Sequence, residues 1–232
     1  MQTRPRIAVL VSIFAALLLI AGCSSSTKSN AALPDAASLV KDSEQTTRQQ
    51  KSVHLELAVT GKIEALPIES VSGDLTNAPA VAAQGKANLV AFGQSFKDVD
   101  FVVADGNLYG ALTPGSFTNF GPAADIYDVA AILSPDKGLA NLQANFSEPK
   151  SEGRETINGV DTVKISGKVT AEAVNGIAPQ IAATGPVPAT MWVKEDGDHD
   201  LVQAKLDTSP GISLQMTLSD WGKTVNVTKP AA

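Results

Sequence analysis

The stretch KDVDFVVADGNLYGAL, Lys97 to Leu112, holds two runs of β-forming residues around Asp105-Gly106, a dipeptide that favours a two-residue hairpin turn. In the register this turn sets, Val103 faces Leu108, Phe101 faces Gly110 and Val99 faces Leu112 on one side. Val102 and Tyr109 fall on the other. A hairpin apolar on both faces near its tip needs cover on both, unlike a sheet with one wet side.

The same period of two continues outward. Val53, Leu55, Leu57 and Val59 alternate with His54, Glu56, Ala58 and Thr60, which puts His54 on the polar face of a strand. Short alternating runs follow over 71–76 and 81–92. Asn158-Gly159 marks a second tight hairpin. Strands return over 190–194 and 201–206, and Ile212, Leu214, Met216 and Leu218 alternate strictly with polar residues. A last stretch, 225–228, is read as a strand that could close the sheet.

Helical spacing is confined to short segments. After Pro34-Asp35, Ala36, Leu39, Val40, Ser43 and Thr47 form one stripe. Two short helices are expected around Ser134-Pro135, the first carrying Ile126, Val129, Ala130 and Leu133, the second Leu139, Leu142 and Phe146. Residues 170–177 predict a capped helix, and the Pro- and Gly-containing APQIAATGPVPA after it, no regular element. Strands, then helices, then strands indicate an α+β fold with an antiparallel sheet buried on one face.

The chain opens as a targeting signal. Arg4 and Arg6 precede a 14-residue apolar run, Ile7 to Ile20, too short for the roughly 20 residues of a spanning helix. Ile20-Ala21-Gly22-Cys23 resembles the bacterial lipobox, whose cysteine is diacylated on sulfur after the signal is removed. The expected organisation is therefore a signal peptide over 1–22, an acylated Cys23 with a polar tether over 23–33, and a single domain over 34–232. Two or three acyl chains anchor stably where one does not, so the protein is expected at the outer face of the cytoplasmic membrane. Removing residues 1–22 takes away two arginines and no acid, leaving 16 bases against 24 acids. That negative balance argues against nucleic acid as a partner.

Few residues offer chemistry. One Cys and two His in 232 residues exclude an internal disulfide and leave too few soft ligands for a structural zinc site. Gly222-Lys223-Thr224 lacks the upstream glycine of a P-loop. Asp196, Asp198 and Asp200 alternate as calcium ligands do, but Leu201 stands where an EF-hand needs Gly and Asp207 where it needs Glu, so a charged turn is expected. No hydrolase motif is present; the chain is read as no enzyme, needing neither metal nor cofactor.

Small residues recur where sheet and helices should meet: Ala87, Ala91, Gly110, Ala111, Ala130, Ala131, Ala140 and Ala144. They leave room that larger side chains would fill. Ordinary core, a docking patch and an apolar cavity all remain open on that ground.

Six segments in order carry a resemblance: Gly121 to Asp128, Gly138 to Asn141, Glu152 to Gly159, Ile165 to Val169, Pro186 to Thr190 and Trp221 to Lys223. Over essentially its whole mature length the chain resembles the mycobacterial LppX/LprAFG lipoprotein family. The resemblance implies a curved antiparallel sheet, a half-barrel, with helices over its concave face and an apolar cavity between them. It implies that the cavity takes the acyl chains of triacylated glycolipids such as phosphatidylinositol mannosides, related lipoglycans, and triacylglycerols. It also implies a major facilitator exporter as partner, and recognition of the acylated form by host Toll-like receptor 2. The strand registers then nominate Ala87, Leu89, Ala91, Val99, Phe101 and Val103 as lining on the sheet, and Ile126, Leu133, Leu139, Leu142 and Ile177 on the helices. Rival readings are an adhesin or receptor ligand whose domain is a spacer, an exporter accessory subunit that docks through an apolar patch, and a hydrolase using His54 or His199.

Overall fold

Asp35 accepts a hydrogen bond from the Ser38 backbone N–H at 2.9 Å and so starts helix α1, Ala36–Gln49. The structure is a computed structural model; it describes residues 32–91 and 93–232, a single compact unit. The signal segment, Cys23 and all but the last two residues of the tether lie outside the described residues. The buried face of α1 is Ala36, Leu39, Val40, Ser43 and Thr47, the stripe that the spacing marks out.

Eleven strands follow. They are β1 Ser52–Thr60, β2 Ile68–Thr76, β3 Ala82–Ala91, β4 Gln94–Ala104, β5 Asn107–Thr113 and β6 Ser116–Pro122, then β7 Phe146–Ile157, β8 Val160–Val169, β9 Val187–Lys194, β10 Leu201–Ser209 and β11 Ile212–Ser219. All pair antiparallel in one sheet of order β6-β5-β4-β3-β2-β1-β11-β10-β9-β8-β7. Two meanders, β1–β6 and β7–β11, are thus joined by the β1–β11 pair, where Leu55 faces Leu218 and Leu57 faces Met216. The β4–β5 hairpin has the expected register, with Phe101 opposite Gly110 and Val103 opposite Leu108.

The covering elements come between and before the meanders. Helix α2, Leu139–Ala144, packs on α1, and the Gln143 amide donates to the Ser43 hydroxyl at 2.7 Å with both side chains buried. Helix α3, Ala171–Ile177, is capped by the Thr170 hydroxyl. Where the spacing predicts a first helix through Ile126 to Leu133, the chain makes two single 3₁₀ turns, Ala123–Asp125 and Val129–Ala131. Asp128 breaks the run there, because its carboxylate caps the Ala130 N–H. Phe146 opens β7 and is not helical.

The 225–228 stretch is not a strand. Residues 223–232 carry no regular structure, and Val227 packs on Val102, Ala104 and Tyr109, with Phe117 beside them. Lys229 reaches Asp105 at 3.3 Å and lies 5.9 Å from the Tyr109 ring. The tail therefore covers the second apolar face of the β4–β5 hairpin, and β6 and β7 are the edge strands among the described residues. Cover for both faces, which the hairpin sequence demands, comes from helices and core on one side and from this tail on the other.

Candidate functional site

Packing on the inner face of the sheet is uneven. Across β8–β11 that face is Val163, Ile165, Met191, Val193, Leu206, Leu214 and Met216, each at most 3% exposed. Leu139, Leu142, Val174 and Ile177 close over it from α2 and α3, equally buried. Each such side chain contributes about 1.5–3 kcal/mol by leaving water. This half is an ordinary close-packed core.

Across β2–β5 the same face is built from smaller residues. One register row runs Leu55, Gly73, Gly85, Phe101, Gly110 and Thr118 from β1 to β6. Three of its six members have no side chain, and Phe101 stands between two of them. Gly73 and Gly85 are a pair that only glycine allows, since a Cβ on Gly85 would lie 2.2 Å from the Ser72 carbonyl oxygen. Gly110 leaves its space to the ring of Phe120, 3.0 Å from where a Cβ would stand. Phe120 is 46% exposed and Leu112, on the same face as Gly110, 41%. Leu57, Val71, Ala87, Leu89, Phe96 and Phe101 are half-buried around them. The result is an apolar trough, open toward β6, beside a filled core.

The nominated lining residues divide accordingly. Ala87, Leu89, Phe101 and Val103 share the inner face of β3 and β4, and Ala87 sits opposite Val99. A bulge then brings Leu89 opposite Phe96, and Ala91 ends the strand opposite Gln94. Val99 and Val103 are buried, and Val103 joins the contiguous core. Leu133, Leu139, Leu142 and Ile177 also lie in that core. Ile126 departs from the helical position expected of it: it terminates a 3₁₀ turn and is 51% exposed. Ala111 faces outward opposite Asp100, away from the helices.

Sequence reading missed Gly73, Gly85, Val71, Leu57 and Phe120. The glycines become conspicuous only when the β2–β3 register sets them opposite one another. Tyr127 was missed too. Its hydroxyl donates to the Ile177 carbonyl at 2.9 Å and ties the 3₁₀ segment to α3, while burial pushes the phenol pKa well above its usual value. The side chains that line the trough are uncharged, so its selectivity is by shape and apolar area. The one His on the sheet, His54, lies on the outer face with Nδ1 2.7 Å from Asp74. The acidic 195–200 loop spends Glu195 on Arg154, which bonds it through Nε and a second nitrogen at 2.8–3.0 Å. Arg154 also donates to the Ala32 carbonyl and Ser151 to that of Pro34, so β7 holds the point where the tether enters the domain.

An open antiparallel sheet with helices over part of one face is the architecture of a class of solved mycobacterial lipoproteins. LprF from Mycobacterium bovis superposes with a TM-score of 0.79 at 31% identity, covering 86% of this chain and 99% of that one. LppX from Mycobacterium tuberculosis gives 0.65 at 29%, covering 83% and 98%. A model of the LppX_LprAFG lipoprotein family matches residues 35–227, and the chain belongs to that family. It is 60% identical over 238 residues, the whole of both chains, to the lipoarabinomannan carrier protein LprG of Mycolicibacterium smegmatis. To the protein of that name from Mycobacterium tuberculosis it is 55% identical over 226 residues, covering 97% and 95%.

Proposed function

We propose that this protein carries acyl lipids of the lipoarabinomannan type through the cell envelope, enclosing their chains against the inner face of β2–β6. The trough of glycines and half-buried apolar side chains beside a filled core is the observation that carries this reading. At about 0.8 kcal/mol per CH₂, a 16-carbon chain in water costs on the order of 12 kcal/mol, so transit requires enclosure. A bare apolar face grips chains and ignores sugars, which suits triacylated glycolipids and triacylglycerols alike. The protein would act without catalysis or cofactor, held by an acylated Cys23 at the outer face of the cytoplasmic membrane. A major facilitator exporter would deliver or receive the cargo, and the acylated N-terminus would be what Toll-like receptor 2 meets.

Native mass spectrometry of the mature lipoprotein, released from detergent micelles after purification from a mycobacterial host, tests the reading. Copurified multi-acyl lipid is expected. Repeated recovery of protein carrying nothing beyond its own anchor would overturn it.

A further inference from the structure

The outer face of the trough strands is polar, and it too is shaped. Two adjoining depressions of about 310 and 440 Å³ share Ser72 and Lys86, each within the roughly 300–1,000 Å³ of small-molecule sites. Register explains the hollow. One row runs Thr217, Glu56, Ser72, Lys86, Asp100, and the next Gln215, Ala58, Ser70, Asn88. Ala58, Ser70 and Ser72 make a floor of short side chains, and Gln215, Glu56 and Lys86 make walls of long ones.

Part of this lining is chemically available. Glu56, Gln215 and Thr217 make no side-chain hydrogen bond or ion pair to any described residue. Together they present a carboxylate, an amide and a hydroxyl within two adjacent rows, acceptors and donors in the mixture that neighbouring sugar hydroxyls require. Charge narrows the choice of ligand. Among the described residues, Lys86 is the only lysine lining the two depressions and is already bonded to Asp100 at 2.7 Å. Glu56, Asp74, Asp98 and Asp100 leave the groove negative, which repels phosphate and other anions. Half-buried Phe117, at the far end, offers an apolar surface for the C–H face of a sugar ring.

We infer that this groove is a binding site for a neutral oligosaccharide, held through Glu56, Gln215 and Thr217. The inference deepens the carrier reading and rests on it for the source of the sugar: the glycan of the carried lipid, or a free envelope polysaccharide of the same chemistry.

The test titrates the mature lipoprotein in detergent micelles with mannotetraose, arabinotetraose and inorganic phosphate, following backbone amide shifts by NMR. A saccharide is expected to shift residues of β1, β2 and β11, and phosphate is expected to shift none. Gln215→Ala should weaken saccharide binding about tenfold, as for one lost hydrogen bond. Ala58→Trp fills the floor on an exposed position and should abolish binding while the protein still copurifies with lipid. Saccharide that binds the Ala58→Trp protein as well as the parent, or fails to bind the parent, overturns the site. Leu89→Trp, on the inner face, separates the two readings: lost lipid with retained saccharide binding is expected, and saccharide binding in a protein that never carries lipid assigns the groove to a free polysaccharide. Loss of saccharide binding in folded Leu89→Trp protein would contradict an independent outer-face site.

Discussion

Replacing Ala87 with Trp should empty the carrier without unfolding it. Ala87 is half-buried on the inner face between Val71 and Val99. An indole there brings about 200 Å² of apolar surface into the trough. At about 25 cal/mol per Å² that is worth ~5 kcal/mol, equivalent to about six methylenes of a bound chain. A ligand excluded from that much contact would bind roughly three to four orders of magnitude more weakly. The trough has room, so stability should change by less than about 1 kcal/mol, or about 3 °C in Tm for a domain of this size. Ala204→Trp is the counterpart. Ala204 is 2% exposed between Met191 and Met216 in the filled half, where added bulk costs about 1–3 kcal/mol or more. It should lower Tm by several degrees and keep its lipid while folded. Calorimetry and native mass spectrometry on the two variants read both quantities. Equal melting losses, or undiminished lipid in Ala87→Trp, would refute the distinction between trough and core.

Gly85→Ala should be far worse than its one methyl suggests, because the new Cβ meets the Ser72 carbonyl oxygen at 2.2 Å; a loss of about 3 kcal/mol or more, seen as a fall in Tm of at least about 6 °C, is expected, and an unchanged Tm would contradict the paired-glycine geometry. Glu155 accepts from Lys164 and from the Trp192 indole at 2.7–2.8 Å, in that order of effect, which holds its carboxyl below the usual 4.5. A depressed acid stabilises the fold above its unfolded pKa and loses that contribution as pH falls through the folded value. In a Trp221→Phe background, Trp192 fluorescence should therefore titrate with a midpoint below 4.5, and the step should vanish in Glu155→Gln; a midpoint at or above 4.5 would count against the bond. Val227→Asp should release the tail from Val102 and Tyr109, read as new binding of an apolar dye and faster amide exchange in β4 and β5, and no change in either would contradict its role as cover.

Much of this architecture was legible in period and punctuation. Asp105-Gly106 predicts a hairpin register found from Ala104–Asn107 to Asp100–Ala111, and the α1 stripe is the face that is buried. Strand β6 and all of edge strand β7 but its end beside the Asn158-Gly159 turn were not legible. Glu148, Lys150 and Glu152 alternate with Pro149, Ser151 and Gly153 and give no apolar stripe, since an edge strand is protected by charge and buries little. The helix expected through Ile126 fails because Asp128 satisfies the backbone locally. The trough was half legible. Ala87 and Phe101 fall on the right face by alternation, but Gly73 and Gly85 acquire meaning only from a pairing between strands that no local pattern encodes. The filled half could not be told from the open half, because Leu139 and Leu89 read alike in sequence and differ only in what lies opposite them.

Photo-crosslinking with a glycolipid bearing a diazirine near the end of one acyl chain tests the central claim most directly. After irradiation of the loaded, mature lipoprotein, peptide mapping should place the adduct on inner-face residues of β2–β6, such as Leu89, Phe101, Leu112 or Phe120. Adducts confined to the outer face, or to the filled β8–β11 half, would contradict the account.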